Sequence, residues 1–341
     1  MKIKVSISHL CFLLLFFSDS PVLSMEKERI PTPAGRPFNH APTIVELPDG
    51  RLIVAWYSGT KEKSRDTAIL FTLRKGEKKW SPPEILVDTP QRAEGNPVLS
   101  ILGKEIYCFY SVLWGKGWST AHLFYVKSQV ESEKNIFFWT PPLRISPFYR
   151  TGEMGRGKPI SLQGNSFLLP IYQELFGYSS YVCLIRGGKV IWRSHYLKSK
   201  PGNLQPVLIP LQDFLLMFMR SAEGGYLWES ISRDKGRTWS RPVKRKDLPH
   251  PNTGFDAIRL TSGRIILVFH NNPKEAHSLV IGVSKDEGKS FSLRKTIEEN
   301  EKDKFLYPSV IQDSHGKIHI VYTVNKREIR HAILTEQELL E

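Results

Sequence analysis

The chain has 341 residues, with 48 Lys and Arg against 34 Asp and Glu for a net charge of +14, and it is 40% apolar and 24% charged. That balance describes a globular protein with ample core material and excludes a disordered tail, a collagen-like rod and a polytopic membrane protein. Three cysteines are too few for a disulfide scaffold, while 24 glycines and 23 prolines point to many turns and an all-β chain.

At the N-terminus, Lys2 and Lys4 precede an apolar run from Leu10 to Phe17, and the small residues near Val22 and Ser24 suit a signal peptidase. Residues 1–24 are therefore expected to be a signal peptide, too short to span a bilayer as a mature helix. Its removal takes Cys11 with it and leaves Cys108 and Cys183, each in an apolar strand-like run, as two buried thiols or a disulfide. No later stretch approaches eighteen apolar residues, so no integral membrane span is expected. The expected destination is the periplasm or the exterior. Export argues against nucleic acid as the partner of the basic charge, which is compatible with an anionic glycan or an envelope surface.

From residue 48 onward the chain repeats. A turn followed by an apolar run recurs as PDGRLIVAWYS, LGKEIYCFYS, QGNSFLLPIY, LQDFLLMFMR, TSGRIILVFH and SHGKIHIVYT. The turns centre on Gly50, Gly103, Gly164, Asp213, Gly263 and Gly316, spaced 49 to 61 residues apart. A second register, Trp80, Trp139, Trp192, Trp239 and Phe291, runs out of phase at 47 to 59 residues. Two interleaved registers near fifty residues predict a six-bladed β-propeller in residues 25–341. The apolar runs are expected to be inner strands, buried on both faces. The segment around Glu28 to Pro33 is expected to close the last blade as its outer strand, and a helical pattern appears only at Thr335 to Glu341.

Within the aromatic register, Ser232-Arg-Asp234-Lys-Gly236-Arg-Thr238-Trp239 reads S-x-D-x-G-x-T-W, and Ser284 to Phe291 is a relaxed copy. An Asp can accept backbone N–H bonds in such a hairpin, Gly supplies a positive φ, and Trp packs between sheets. These boxes resemble the Asp-box repeats of the sialidase superfamily, and the chain as a whole is most similar to its bacterial BNR-repeat branch. HAPTIVELPDGRLIVAW, GNPVL, GKPISL, LQPVLIPL, WESISRDKGRTWS, PNTGFDAIRL and YPSVIQDSHGKIHIVYT carry the likeness. The resemblance implies glycoside hydrolysis by a tyrosine with a glutamate partner, an aspartate acid/base and three arginines that hold a substrate carboxylate; the tyrosine departs from the two-carboxylate scheme. By position, Tyr307 matches the tyrosine and Asp66 the acid/base aspartate. His40 stands at the first arginine, Gln205 at the glutamate, Leu227 and Trp228 near the second arginine, and Ala276 and His277 near the third. Arg29-Ile30-Pro31 is too far from Pro48-Asp49-Gly50 to serve as the arginine motif.

Independently of the resemblance, a propeller gathers the starts of its inner strands at one mouth of a channel. Polar residues ahead of each turn are His40, Asn96, Lys158, Gln205, Asp256 and Tyr307, with Asp66 on a loop beside them. An acid, a cation and several hydrogen-bonding groups suit a polyhydroxylated ligand. Glu153 and Glu229 are secondary carboxylates, and Arg220, expected near the far mouth, is a further binder. No His, Cys and carboxylate cluster has zinc spacing, TGEMGRGK lacks a phosphate-loop ending, and no cofactor is implied. The expected function is an exported exo-glycoside hydrolase. In it Asp66 protonates the leaving oxygen and Tyr307 attacks or stabilises the anomeric centre. His40, Asn96, Lys158 and Gln205 bind the sugar, and Asp256 is a candidate to activate water. A non-catalytic glycan-binding propeller and a polysaccharide lyase with a His/Tyr pair remain as alternatives.

Overall fold

A computed structural model describes residues 25–76, 79–131 and 137–341; the expected signal peptide lies outside them. Strand β1 (Glu26–Ile30) comes first. Blade one is β2 (Phe38–Glu46), β3 (Arg51–Gly59), β4 (Ala68–Lys75) and β5 (Glu84–Val87). Blade two is β6 (Ala93–Leu102), β7 (Glu105–Leu113), β8 (Ala121–Gln129) and β9 (Leu143–Arg144). Blade three is β10 (Glu153–Gly155), β11 (Ile160–Leu162), β12 (Ser166–Gln173), β13 (Ser179–Arg186) and β14 (Lys189–Arg193). Blade four is β15 (Asn203–Pro210), β16 (Leu215–Ser221), β17 (Leu227–Ser232) and β18 (Val243–Arg245). Blade five is β19 (Asp256–Arg259), β20 (Ile265–Phe269), β21 (Ser278–Ser284) and β22 (Ser292–Glu299). Blade six is β23 (Phe305–Gln312), β24 (Ile318–Val324) and β25 (Glu328–Leu334). Each blade is an antiparallel meander, and together they make a six-bladed, all-β propeller.

β1 is the fourth strand of blade six, paired with β25 from Glu26↔Ile333 to Ile30↔Ile329. The first described strand thus closes the last blade, as the sequence predicts. The chain ends in α1 (Glu336–Leu340), capped by Thr335, whose hydroxyl accepts from Glu338 N at 3.2 Å while Glu338 accepts from Thr335 N.

The six apolar runs are not the inner strands. They form β3, β7, β12, β16, β20 and β24, the second strand of each blade, while β2, β6, β10 with β11, β15, β19 and β23 line the channel. The runs read as continuous hydrophobics because a second strand is covered by the neighbouring blade on each face. All nine residues of β3 are buried, and Trp56, Phe109, Phe218 and Tyr322 are completely enclosed. Burying a side chain of that size contributes about 1.5–3 kcal/mol. Cys108 and Cys183 are buried free thiols on β7 and β13, not a disulfide.

The Asp boxes join the third and fourth strands, at the end of the blades opposite the starts of the inner strands. Asp234 accepts from Thr238 N and Oγ1 at 2.8 and 2.6 Å and from Ser232 Oγ at 2.9 Å. Gly236 takes φ +89°, and Trp239 Nε1 donates to its carbonyl. Asp286 repeats the pattern with Ser290 and Ser284. These bonds, the Thr238 and Ser290 hydroxyls foremost, hold both carboxyls down to about 2.

Candidate functional site

Four of the inner strands break their ladder at the same place. The register shifts between His40 and Thr43, Gly95 and Val98, Leu204 and Val207, and Leu306 and Ser309. In each break a non-glycine residue has positive φ and a proline follows: Ala41-Pro42, Asn96-Pro97, Gln205-Pro206 and Tyr307-Pro308, with φ of 51°, 49°, 50° and 53°. A bulge leaves one residue out of the ladder, and proline has no N–H to leave unpaired there. Such backbone costs about 1–3 kcal/mol per residue and is kept where the fold gains a re-aimed side chain.

Tyr307 is the centre of what the bulges gather. Its hydroxyl oxygen accepts from Gln205 Nε2 at 3.2 Å and Arg220 Nη1 at 3.4 Å. Two donors on that oxygen leave its own proton to point elsewhere. Its ring lies 4.4 Å from the His40 ring, centroid to centroid, and the guanidinium carbons of Arg156 and Arg220 lie 5.6 and 5.9 Å from its centroid. Behind it stands Gly254, where a β-carbon would come within 2.9 Å of Tyr307 Cγ.

Arg156 supports this arrangement from inside the channel. Blade three splits its inner strand into β10 and β11, and the intervening Arg156-Gly157-Lys158-Pro159 crosses toward the axis. Gly157 passes so close to Pro206 that a β-carbon would sit 2.0 Å from its carbonyl oxygen. Arg156, 4% exposed, donates from Nη2 to the carbonyls of Pro42, Tyr307 and Pro308 at 3.0–3.1 Å, tying blades one, three and six together. Burial lowers its pKa from the ordinary arginine value. His40 is 2% exposed, its Nδ1 lies 3.2 Å from Thr323 Oγ1, and burial, reinforced by Lys326, Arg156 and Arg220, holds it well below the ordinary histidine value. It is a neutral imidazole. Asn96 donates to Tyr172 Oη at 3.0 Å.

Asp66 and Glu174 are carboxyls at this mouth in opposite surroundings. Asp66, between β3 and β4, accepts from Thr60 N at 3.0 Å and Thr60 Oγ1 at 3.1 Å. Burial works against its ionisation, but hydrogen bonds from Ser64 and Thr60 outweigh it and lower the pKa. Glu174 directly follows β12, and burial raises its pKa in spite of the charges of Arg220 and Lys63.

The family comparison agrees with this architecture. The family described as BNR repeat-like domain matches residues 50–320. The chain belongs to the BNR repeat-like family. Among solved structures, this BNR repeat-like chain is similar to a Hadza microbial sialidase, with TM-score 0.71 and 16% identity over 89% of the chain and 66% of that protein. It is also similar to a Dyadobacter fermentans protein of unknown function, with TM-score 0.74 and 15% identity over 92% of the chain and 99% of that one. Trypanosoma rangeli sialidase in complex with sialic acid gives TM-score 0.72 and 13% identity over 93% and 60%. The chain thus spans under two thirds of each of the two sialidases. At these identities the likeness is one of fold, the sialidase propeller. No match was found among the curated proteins.

Against this BNR repeat-like frame, the structure brings Tyr307, Gln205, His40 and Arg220 together and sets Asn96 beside them through Tyr172. Arg220 lies next to the end of β16, a second strand, and reaches the mouth that holds Tyr307, so the expectation of the far mouth is corrected. Lys158 and Asp256 do not join the cluster. They pair with each other, Lys158 also donates to Val310 O at 3.0 Å, and Asp256 accepts from Val310 N at 2.9 Å. They line a channel cavity of about 250 Å³ with Pro210 and Arg259, toward the ends of the inner strands. The crossing at Gly157 carries Arg156 inward and moves Lys158 one step along the channel. Glu153 is bound by Tyr181 Oη at 2.6 Å and Arg150, and Glu229 pairs with Arg245 on the outer half of blade four. His277 is held by Asp303 O and Glu275. Arg156, Tyr172 and Glu174 are absent from the sequence reading. The signal for Arg156 was the glycine beside it; Glu174 has none, because its place depends on a loop.

Proposed function

We propose that this protein is an exported glycoside hydrolase that removes terminal sugars from glycans, with the mouth around Tyr307 as its active site. The observation that carries the reading is the convergence on Tyr307 of Gln205 and Arg220. A phenolic oxygen held by two donors, beside a guanidinium with a buried and unpartnered Nε, faces a cluster of hydrogen-bonding groups. Tyr307 would stabilise or attack the anomeric centre as positive charge develops there. Arg220 would hold a carboxylate or hydroxyl, and the unpartnered Gln205 Oε1 would accept from a sugar hydroxyl. His40 and Arg156 would fix the tyrosine ring. The sialidase fold supports a glycan as ligand, and the export rests on the N-terminal pattern alone.

The test is product release from a panel of aryl glycosides that includes sialosides, uronosides and neutral sugars. Cleavage of at least one is expected. Release of an ultraviolet-absorbing unsaturated uronate would make the protein a lyase instead. A second reading, a glycan-binding propeller without catalysis, is favoured by Gln205, an amide that cannot take the Tyr307 proton; binding on a glycan array with no cleavage in the panel would establish it.

A further inference from the structure

Between Asp66 and Glu174, we propose that Glu174 is the catalytic acid, giving its proton to the leaving oxygen and recovering one from water. The assignment rests on the hydrolase reading above. Both Asp66 oxygens are engaged by Thr60, which fixes the carboxylate as an acceptor and turns it toward its own loop. The Glu174 carboxyl accepts no hydrogen bond among the described residues, yet it is half-buried.

The position of Glu174 is built rather than incidental. Its N–H donates to Gly152 O at 3.0 Å. Gln173, buried inside the loop, donates from Nε2 to Gly177 O at 2.7 Å and Ser179 Oγ at 2.9 Å, and accepts from Phe176 N at 2.9 Å. Three bonds from one side chain hold the turn of residues 174–178, so the carboxyl is presented from a fixed base. Arg220, which donates to the Tyr307 hydroxyl, also acts electrostatically on Glu174, so one guanidinium links the phenol to the carboxyl. The charged and titratable groups that face Glu174 are Arg220 from β16, Lys63 from the β3–β4 loop and Tyr172 from β12. Burial outweighs the two cations and raises the pKa of Glu174 from its ordinary value, while hydrogen bonds from Ser64 and Thr60 outweigh burial and lower that of Asp66. Where two carboxyls in one site are pushed apart in this way, the one whose pKa is raised is the better suited to be the acid.

The step balances within the site. Glu174 transfers its proton to the glycosidic oxygen as the bond from that oxygen to the anomeric carbon breaks, and the bonding electron pair stays on the departing oxygen. Positive charge at the anomeric carbon is stabilised by Tyr307. Water then bonds to that carbon and gives a proton to the Glu174 carboxylate, which restores the acid.

Glu174→Gln and Asp66→Asn, compared on glycosides of graded leaving-group acidity, test the proposal. The Glu174→Gln variant is expected to lose about 10²–10⁴-fold on poor leaving groups and far less on dinitrophenyl glycosides, and to lose the alkaline limb of the pH profile. Asp66→Asn is expected to keep that limb and to show no such leaving-group dependence. The reverse pattern overturns the role of Glu174 alone. Failure of the wild type to cleave any glycoside overturns the hydrolase reading, and this role with it. A carbon-13 carboxyl titration reports without turnover: Glu174 titrating in the ordinary glutamate range also overturns the proposal.

Discussion

Gln205 donates an amide hydrogen bond to the phenolic oxygen of Tyr307 at 3.2 Å, across the channel mouth from blade four to blade six. Both residues sit in positive-φ bulges before a proline, so the contact is made by the backbone design of two inner strands and not by chance neighbours. The amide supports the phenol but cannot deprotonate it. A carboxylate in its place would accept the phenolic proton. Gln205→Glu is therefore expected to raise turnover by about tenfold or more, measured on whichever aryl glycoside the wild type cleaves. No gain, with melting temperature unchanged, would mean that Tyr307 does not act through its oxygen.

Among the described residues Arg220 makes one side-chain hydrogen bond, to the Tyr307 hydroxyl, and its buried Nε has no partner. A ligand carboxylate would complete it. Arg220→Met is expected to raise KM for acidic sugars by about tenfold to a hundredfold, a loss of about 1.5–3 kcal/mol, with little effect on neutral ones. Equal losses on both would assign Arg220 to Tyr307 alone.

Gly254 is the backstop of the Tyr307 ring. Tyr307 Cγ is the root of a rigid ring and cannot swing clear, so a β-carbon 2.9 Å away must displace the whole side chain. Gly254→Ala is expected to reduce turnover by about 10²-fold while costing about 1–3 kcal/mol of stability from overpacking. A crystal structure of the variant with the ring unmoved would contradict this.

Acid sensitivity follows from the buried histidines. Burial lowers His40, His250 and His331, and lowers His270 and His319 to about 4 each; in His319 the neighbouring His331 charge adds to burial. His319 Nδ1 lies 3.0 Å from His331 Nε2, and His331 Nδ1 lies 2.8 Å from Glu28 on the closing strand. The unfolded chain takes up protons near pH 6.5 that the fold refuses, so stability is complete above that value and falls as the pH drops from 6.5 toward 4. Each group contributes a slope of about 1.4 kcal/mol per pH unit in its window. Glu28 acts lower down. Burial works against its ionisation, but His331, Trp80 and Arg74 outweigh it and hold its pKa below the ordinary value, so its share is lost only as the pH falls through that lowered value. Melting temperature is expected to decline steadily below pH 6.5; a flat curve from pH 7 to 5 would contradict the neutral histidine pairs.

The fold was legible because its signals are local and repeated. A glycine turn every fifty residues and an aromatic in the opposite phase state the blade, and Glu28 sits on an outer strand close to its expected place. The position of the apolar runs was misread because continuity shows only that both faces are covered, and in a propeller a second strand meets that condition as well as an inner one. Tyr307, Gln205 and Asn96 were found because each is a polar residue a few positions ahead of its blade's turn. Lys158 shares that feature, yet the Gly157 crossing sends it along the channel to Asp256, a consequence of backbone approach that no spacing reveals. Glu174 and Arg220 come to the mouth at the ends of second strands, and only the tertiary arrangement of blades three and four makes them neighbours.

The central claim is that Tyr307 performs chemistry at this mouth. Its most direct test is the kcat of Tyr307→Phe on a glycoside that the wild type cleaves, with the melting temperature measured alongside. Removing one oxygen leaves the ring against His40 and Arg156, so the variant is expected to melt within a few degrees of the wild type and to lose about 10²–10³-fold in kcat. Turnover equal to the wild type at an unchanged melting temperature would contradict the account.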